Sequence, residues 1–84
     1  METKTVLTGF AIVVLDRGFV YVGNVQCDAD WCVITDARNI RVWGTTKGLG
    51  ELTTGPTDKT VLDHVGTVRA PMRAVISVIE AKWS

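Results

Sequence analysis

The chain has 84 residues, 46% of them hydrophobic and 21% charged, with nine basic and nine acidic side chains and a formal net charge of zero. That length bounds a single domain over 1–84, and the apolar share excludes a disordered chain. Zero net charge argues against nucleic-acid binding by bulk charge, no apolar run approaches the ~18–20 residues of a membrane span, and two cysteines are too few for a disulfide framework.

The start, Met1-Glu2-Thr3-Lys4, is of mixed charge and no apolar signal region follows it. A cytosolic protein that does not enter membranes is expected. The first predicted strand, 5–15, reads TVLTGFAIVVL. Its β-branched enrichment favours strand over helix. Val6, Phe10, Ile12 and Val14 fall on one face, Leu7, Ala11, Val13 and Leu15 on the other, and Gly9 suits a bend. A strand apolar on both faces is covered on both, and a partner subunit is one way to supply the second cover.

Asp16-Arg17-Gly18 reads as a turn. In 19–27, Phe19, Tyr21, Gly23, Val25 and Cys27 share a face opposite Val20, Val22, Asn24 and Gln26, and Gly23 points to strong curvature. Asp28-Ala29-Asp30 is the next turn, so 19–27 and 31–35 form a hairpin. A break at Asp36-Ala37 precedes 39–43, where Ile40 and Val42 alternate with Asn39, Arg41 and Trp43. Leu49 and Leu52, three apart, predict one short helix or helical turn around 47–53, ended by Gly55-Pro56. Val61, Val65 and Val68 read as short strand pieces. After Pro71, Met72, Ile76, Ile79 and Trp83 would line a helix, but the β-branched alternation around Val75–Ile79 favours strand. Many short strands with glycine bends predict a mainly β chain, strongly bent into a small barrel.

Catalytic constellations are missing from the sequence. His64, the single histidine, adjoins Asp63, and neighbours on a strand point to opposite faces. No enzyme, metal or cofactor is expected. Cys27 and Cys32 have only His64 as a third ligand, one short of a structural zinc site. If the turn spans 28–31, the two cysteines face each other; a disulfide there is the alternative to the expected pair of buried thiols. Asp28, Asp30 and Asp36 read as turn residues.

The segment GTTKGLG lacks the spacing of a phosphate-binding P-loop, yet Thr45, Thr46 and Lys47 bring hydroxyls, backbone N–H groups and a cation into a short span that can cradle an anion. Beside it, Asn39, Arg41 and Trp43 form one face. An indole stacks on a base, Arg forks onto phosphate and Asn reads an amide edge. Arg38, Asn39, Arg41, Trp43, Thr45, Thr46 and Lys47 are therefore the candidate ligand-binding residues. The plainer reading puts Trp43 in a subunit interface with Asn39 and Arg41 merely solvated. Both hold if the site lies between subunits.

Two resemblances add expectations. Residues 13–37, VVLDRGFVYVGNVQCDADWCVITDA, and 65–80, VGTVRAPMRAVISVIE, are similar to the two signatures of the Sm-like family, with 38–63 as an insertion. This resemblance implies an SH3-like (Sm-like) barrel, ring-forming self-association and single-stranded RNA in the pore. For the RNA residues, Asp28 or Asp30 stands at the family's Asp, but Trp31 and Cys32 stand near its Asn, and Ala70-Pro71 follows Arg69 where the family has Gly. The chain also resembles a group of short phage-encoded proteins in Asp36-Ala37-Arg38-Asn39, in the aromatic strand 40–43 and in the turn 49–52, with Asn39 replacing a second Arg. The expectation is a non-enzymatic, homo-oligomeric phage accessory protein in the cytoplasm of an infected bacterium. It would bind a host nucleotide-type small molecule or a host defence protein, as counter-defence. The alternative is a virion or assembly protein with strand-mediated contacts; a weaker one is a Sm-like RNA-binding ring.

Overall fold

The computed structural model describes residues 7–83. Five strands, β1 (Leu7–Leu15), β2 (Val20–Cys27), β3 (Trp31–Val42), β4 (Val61–Pro71) and β5 (Val75–Glu80), form one antiparallel sheet in the order β4-β3-β2-β1-β5. Short 3₁₀ turns occupy Asp16–Gly18, Leu49–Thr54 and Met72–Ala74.

The mainly β expectation holds, and 75–80 is strand rather than helix. The turn expected around 47–53 is the 3₁₀ turn Leu49–Thr54. Two boundaries differ from the sequence reading. The break at Asp36-Ala37 is a β-bulge inside the single 12-residue strand β3, and Val61, Val65 and Val68 belong to one 11-residue strand. A bulge adds a residue without ending the ladder, so turn-forming residues at that point do not stop the strand. Asp36 takes φ 51°, a left-handed conformation that Asp tolerates better than most residues. Val6 and the rest of 1–6 lie outside the described residues.

Gly23 sits opposite this bulge. A Cβ there would lie 2.8 Å from the Thr35 carbonyl oxygen and 2.9 Å from Ile34 Cγ2. The β2–β3 register slips at the same place, between Val22 and Asn24. Glycine lets the two backbones approach, and the paired defects bend the sheet there.

The connection from β4 to β5 sets the larger curvature. These are the two edge strands of a five-stranded sheet, yet only the turn Met72–Ala74 separates them. In a flat sheet the edges would lie about 19 Å apart, at ~4.8 Å per strand step. The four residue steps from Pro71 to Val75 reach at most about 14 Å. The sheet must therefore curl. It stays unclosed: β4 pairs with β3 and β5 with β1, with no ladder between the edges among the described residues.

Curling gives the sheet two apolar faces with a core on each. One core holds Val13, Leu15, Val25, Cys27, Cys32 and Ile34; the other holds Ile12, Val20, Val22, Ile40, Leu52 and Ala81. The alternation in β1 read from sequence is thus observed over residues 10–15. The cover over its second face comes from within the chain, from Leu52 of the 3₁₀ turn and from Ala81 and Trp83 after β5. Fully burying a side chain such as Ile12 or Leu52 stabilises by ~1.5–3 kcal/mol, so this short turn is tied to the sheet.

Candidate functional site

The end of β3 and the loop after it carry the predicted site. Asn39 and Arg41 share the face that bears Tyr21 and Asp63, because Asn39 pairs with Tyr21 on one side and Asp63 on the other. Asn39 Nδ2 donates to the Val20 carbonyl at 3.1 Å. Arg41 Nε donates to Asp63 Oδ2 at 2.7 Å, with both side chains well exposed (63% and 46%). An exposed pair of this kind adds little stability, so Arg41 is held in place yet open to exchange its partner.

Arg38 lies on the other face, that of Ile40, with its guanidinium 5.8 Å from the centre of the Trp83 ring. The structure therefore separates Arg38 from Asn39 and Arg41. A register slip between Ile40 and Val42 interrupts the alternation before Trp43, which lies past the strand end and is 41% exposed.

The loop 43–60 is braced by its own polar groups. Thr60 Oγ1 donates to the Trp43 carbonyl and Thr57 Oγ1 to the Gly44 carbonyl, each at 2.6 Å. Gly44 takes φ 66°, and a Cβ there would collide with the Lys59 backbone. Glycine is required on both counts. The backbone N–H groups of Thr46 and Lys47 both donate to Glu51 Oε1 at 3.1 Å. Within Thr45–Lys47, where an anion cradle is expected from sequence, these two amides converge on a carboxylate of the chain itself. Thr45 is half-buried beside them.

Sequence reasoning missed Glu51, Thr57, Thr60 and Trp83. The available signal for Glu51 was an acidic side chain in the first turn of a helical segment, next to a donor-rich loop. Nothing in sequence spacing ties Thr57 or Thr60 to the carbonyls they brace, which lie 13 and 17 residues away at Gly44 and Trp43. Trp83 donates from Nε1 to the Leu52 carbonyl at 2.6 Å and its ring lies 5.6 Å from that of Phe10.

Elsewhere, Asp28 is a turn residue as read: its Oδ1 accepts the N–H groups of Trp31 and Asp30, each at 2.8 Å. Those two bonds, that of Trp31 first, hold its carboxyl below the usual range. His64 is exposed on the edge strand β4. Among the described residues, no three His, Cys, Asp or Glu side chains are grouped to hold a metal ion, and no helix is long and apolar enough to cross a membrane. An open groove of about 440 Å³ is lined by Phe10, Ala11, Thr53, Thr54, Ala81 and Lys82, none of them among the predicted site residues. Comparison with protein-family models, with curated proteins and with solved structures gave no match.

Proposed function

We propose that this chain is a non-catalytic, self-associating binding module built on an open SH3-like barrel. It takes an anionic, nucleotide-type ligand, or the equivalent anionic patch of a host protein, at Arg41, Trp43 and the Thr45–Lys47 loop. The observation that carries this reading is the convergence of the Thr46 and Lys47 amides on one anionic oxygen. That geometry suits a phosphate oxygen as well as a carboxylate. Glu51 holds the cradle in the free chain, and a phosphate of higher charge displaces it. Lys47 then neutralises the ligand, the Arg41 fork leaves Asp63 for a second phosphate oxygen, and the Trp43 indole packs on the base. Asn39 and Arg38 support β3 through Val20 and Trp83. A phage accessory role against a host defence signal is the biological form of the proposal, and it rests on the resemblance over 36–52.

Native mass spectrometry of the full chain purified from a bacterium carrying such defences tests it. The expected spectrum is a closed oligomer with a stoichiometric extra mass. Lys47→Ala and Arg41→Ala lose that mass, while Glu51→Gln, which removes the competing charge and keeps the acceptor oxygen, retains it several-fold better against dilution. A chain that carries no extra mass, and binds no member of a panel of cyclic and linear nucleotides, sinks the reading.

A second reading, a structural or assembly protein, has its own support. Both sheet edges are unpaired among the described residues, and each bears an exposed apolar side chain, Val65 (48%) on β4 and Ile76 (66%) on β5. Such edges pair with other strands. An oligomer without extra mass in the same spectra would favour it.

A further inference from the structure

We propose that Cys27 and Cys32 are a reversible redox site, forming an intramolecular disulfide that staples the tip of the β2–β3 hairpin. The two residues are directly opposite in the ladder. Asp28 N–H donates to the Trp31 carbonyl at 2.9 Å, which makes 28 and 31 a hydrogen-bonded pair. Antiparallel pairs alternate, so Cys27 and Cys32 fall in a non-hydrogen-bonded position, where Cα atoms are ~4.5 Å apart and side chains are closest. That separation is at the short end of the ~4.4–6.8 Å range disulfides span. The sulfur atoms are 2.6 Å apart and both side chains are fully buried. Closing from there to the ~2.05 Å of a bond needs only a small torsional change.

The oxidant is a low-molecular-weight disulfide such as oxidised glutathione. The thiolate of one cysteine attacks it, forming a mixed disulfide and releasing one small thiol. The second cysteine then attacks the mixed disulfide at the protein sulfur, releasing the other small thiol. The two protons lost by Cys27 and Cys32 end on the two released thiols. Burial, with the neighbouring Cys27 thiol, pushes the Cys32 thiol up to about 12. Reaction therefore proceeds through opening of the exposed tip at Ala29 and Asp30.

The same tip holds the start of the β4–β5 connection. The Asp30 carbonyl accepts the Met72 N–H at 2.9 Å, and Trp31 pairs with Pro71. The staple thus fixes the junction between the two edge strands, and its redox state sets how firmly that junction is held.

The test is to refold the reduced, denatured full chain in glutathione buffers of graded potential, then alkylate under denaturing conditions and weigh it. Refolding removes the barrier that burial places on exchange. Native protein incubated for days in the same buffers covers the case in which the denatured chain aggregates. The expected result is one two-electron transition, from two alkylated thiols per chain to none, with no glutathione adduct and no covalent dimer. Oxidised protein should melt about 5 °C or more above reduced protein, given the loop-closure effect of a short staple. Its Met72 amide should exchange more slowly, and the Cys27→Ala, Cys32→Ala double variant should lose both differences. Two free thiols per chain in the most oxidising buffer, or mixed and intermolecular disulfides in place of the internal bond, would overturn the proposal.

Discussion

Gly23 shows what a single residue decides in this fold. Its missing side chain makes room for the Thr35 carbonyl, which a Cβ would approach to 2.8 Å. Gly23→Ala should cost about 1–3 kcal/mol, as overpacking against backbone does, read as a lowered urea midpoint with an unchanged slope. Gly50 offers the contrast, since nothing lies within 4 Å of its added Cβ and its φ is not in the left-handed range. Gly50→Ala should stay within ~0.5 kcal/mol of the parent. Asp28 makes a pH-dependent contribution. Its carboxyl is held below its ordinary value of 3.8, so its stabilising effect is fully present above that pH and is lost as pH falls through the lower, folded-state value. Asp28→Asn keeps an acceptor oxygen without the charge. Its urea midpoint should fall less steeply with pH below 3.8 than the parent's, and equal slopes would remove Asp28 from the acid limb.

The 3₁₀ turn Leu49–Thr54 matters more as an element than its length suggests. Leu52 is fully buried in the second core, and the Trp83 indole bonds its carbonyl. Leu52→Ala should cost ~2–5 kcal/mol by leaving a cavity. Trp83→Phe keeps an aromatic ring near Phe10 and removes one of the two bonds to the Leu52 carbonyl, which still accepts the Gly55 N–H at 3.2 Å; the loss should be about 0.5–1.5 kcal/mol. Because the residues touch, the double variant should be less destabilised than the sum, by thermal and chemical denaturation. Arg41→Ala should leave stability within ~0.5 kcal/mol, since its ion pair with Asp63 is exposed. A ligand-binding defect in that variant would then report on the site and not on folding.

At the level of the whole molecule, the curled sheet leaves β4 and β5 as edges joined by one short turn. Self-association through these edges predicts that Val65→Lys, a charge on the exposed part of β4, shifts the oligomer towards monomer in native mass spectra and light scattering. An unchanged oligomer would move the contact away from β4.

The strands were legible in the sequence wherever burial alternates. In β1 and β2 each face meets its own core, so period-two patterns in Val, Ile and Leu survive intact. The 3₁₀ turn was legible from Leu49 and Leu52, and the facing of Cys27 and Cys32 from the length of a hairpin turn. The bulge at Asp36 was read as a break, because turn-forming residues look alike whether the ladder stops or only kinks. For the candidate site, the sequence marked Thr46 and Lys47, whose amides converge on one oxygen, and the exposed Arg41 and Trp43. Tertiary structure alone placed Glu51 against those amides, turned Arg38 away to Trp83, and closed the loop through Thr57 and Thr60. It also covered the second face of β1 with Leu52, Ala81 and Trp83. Those contacts join residues far apart along the chain, and local periodicity carries no record of which distant segment fills a given surface.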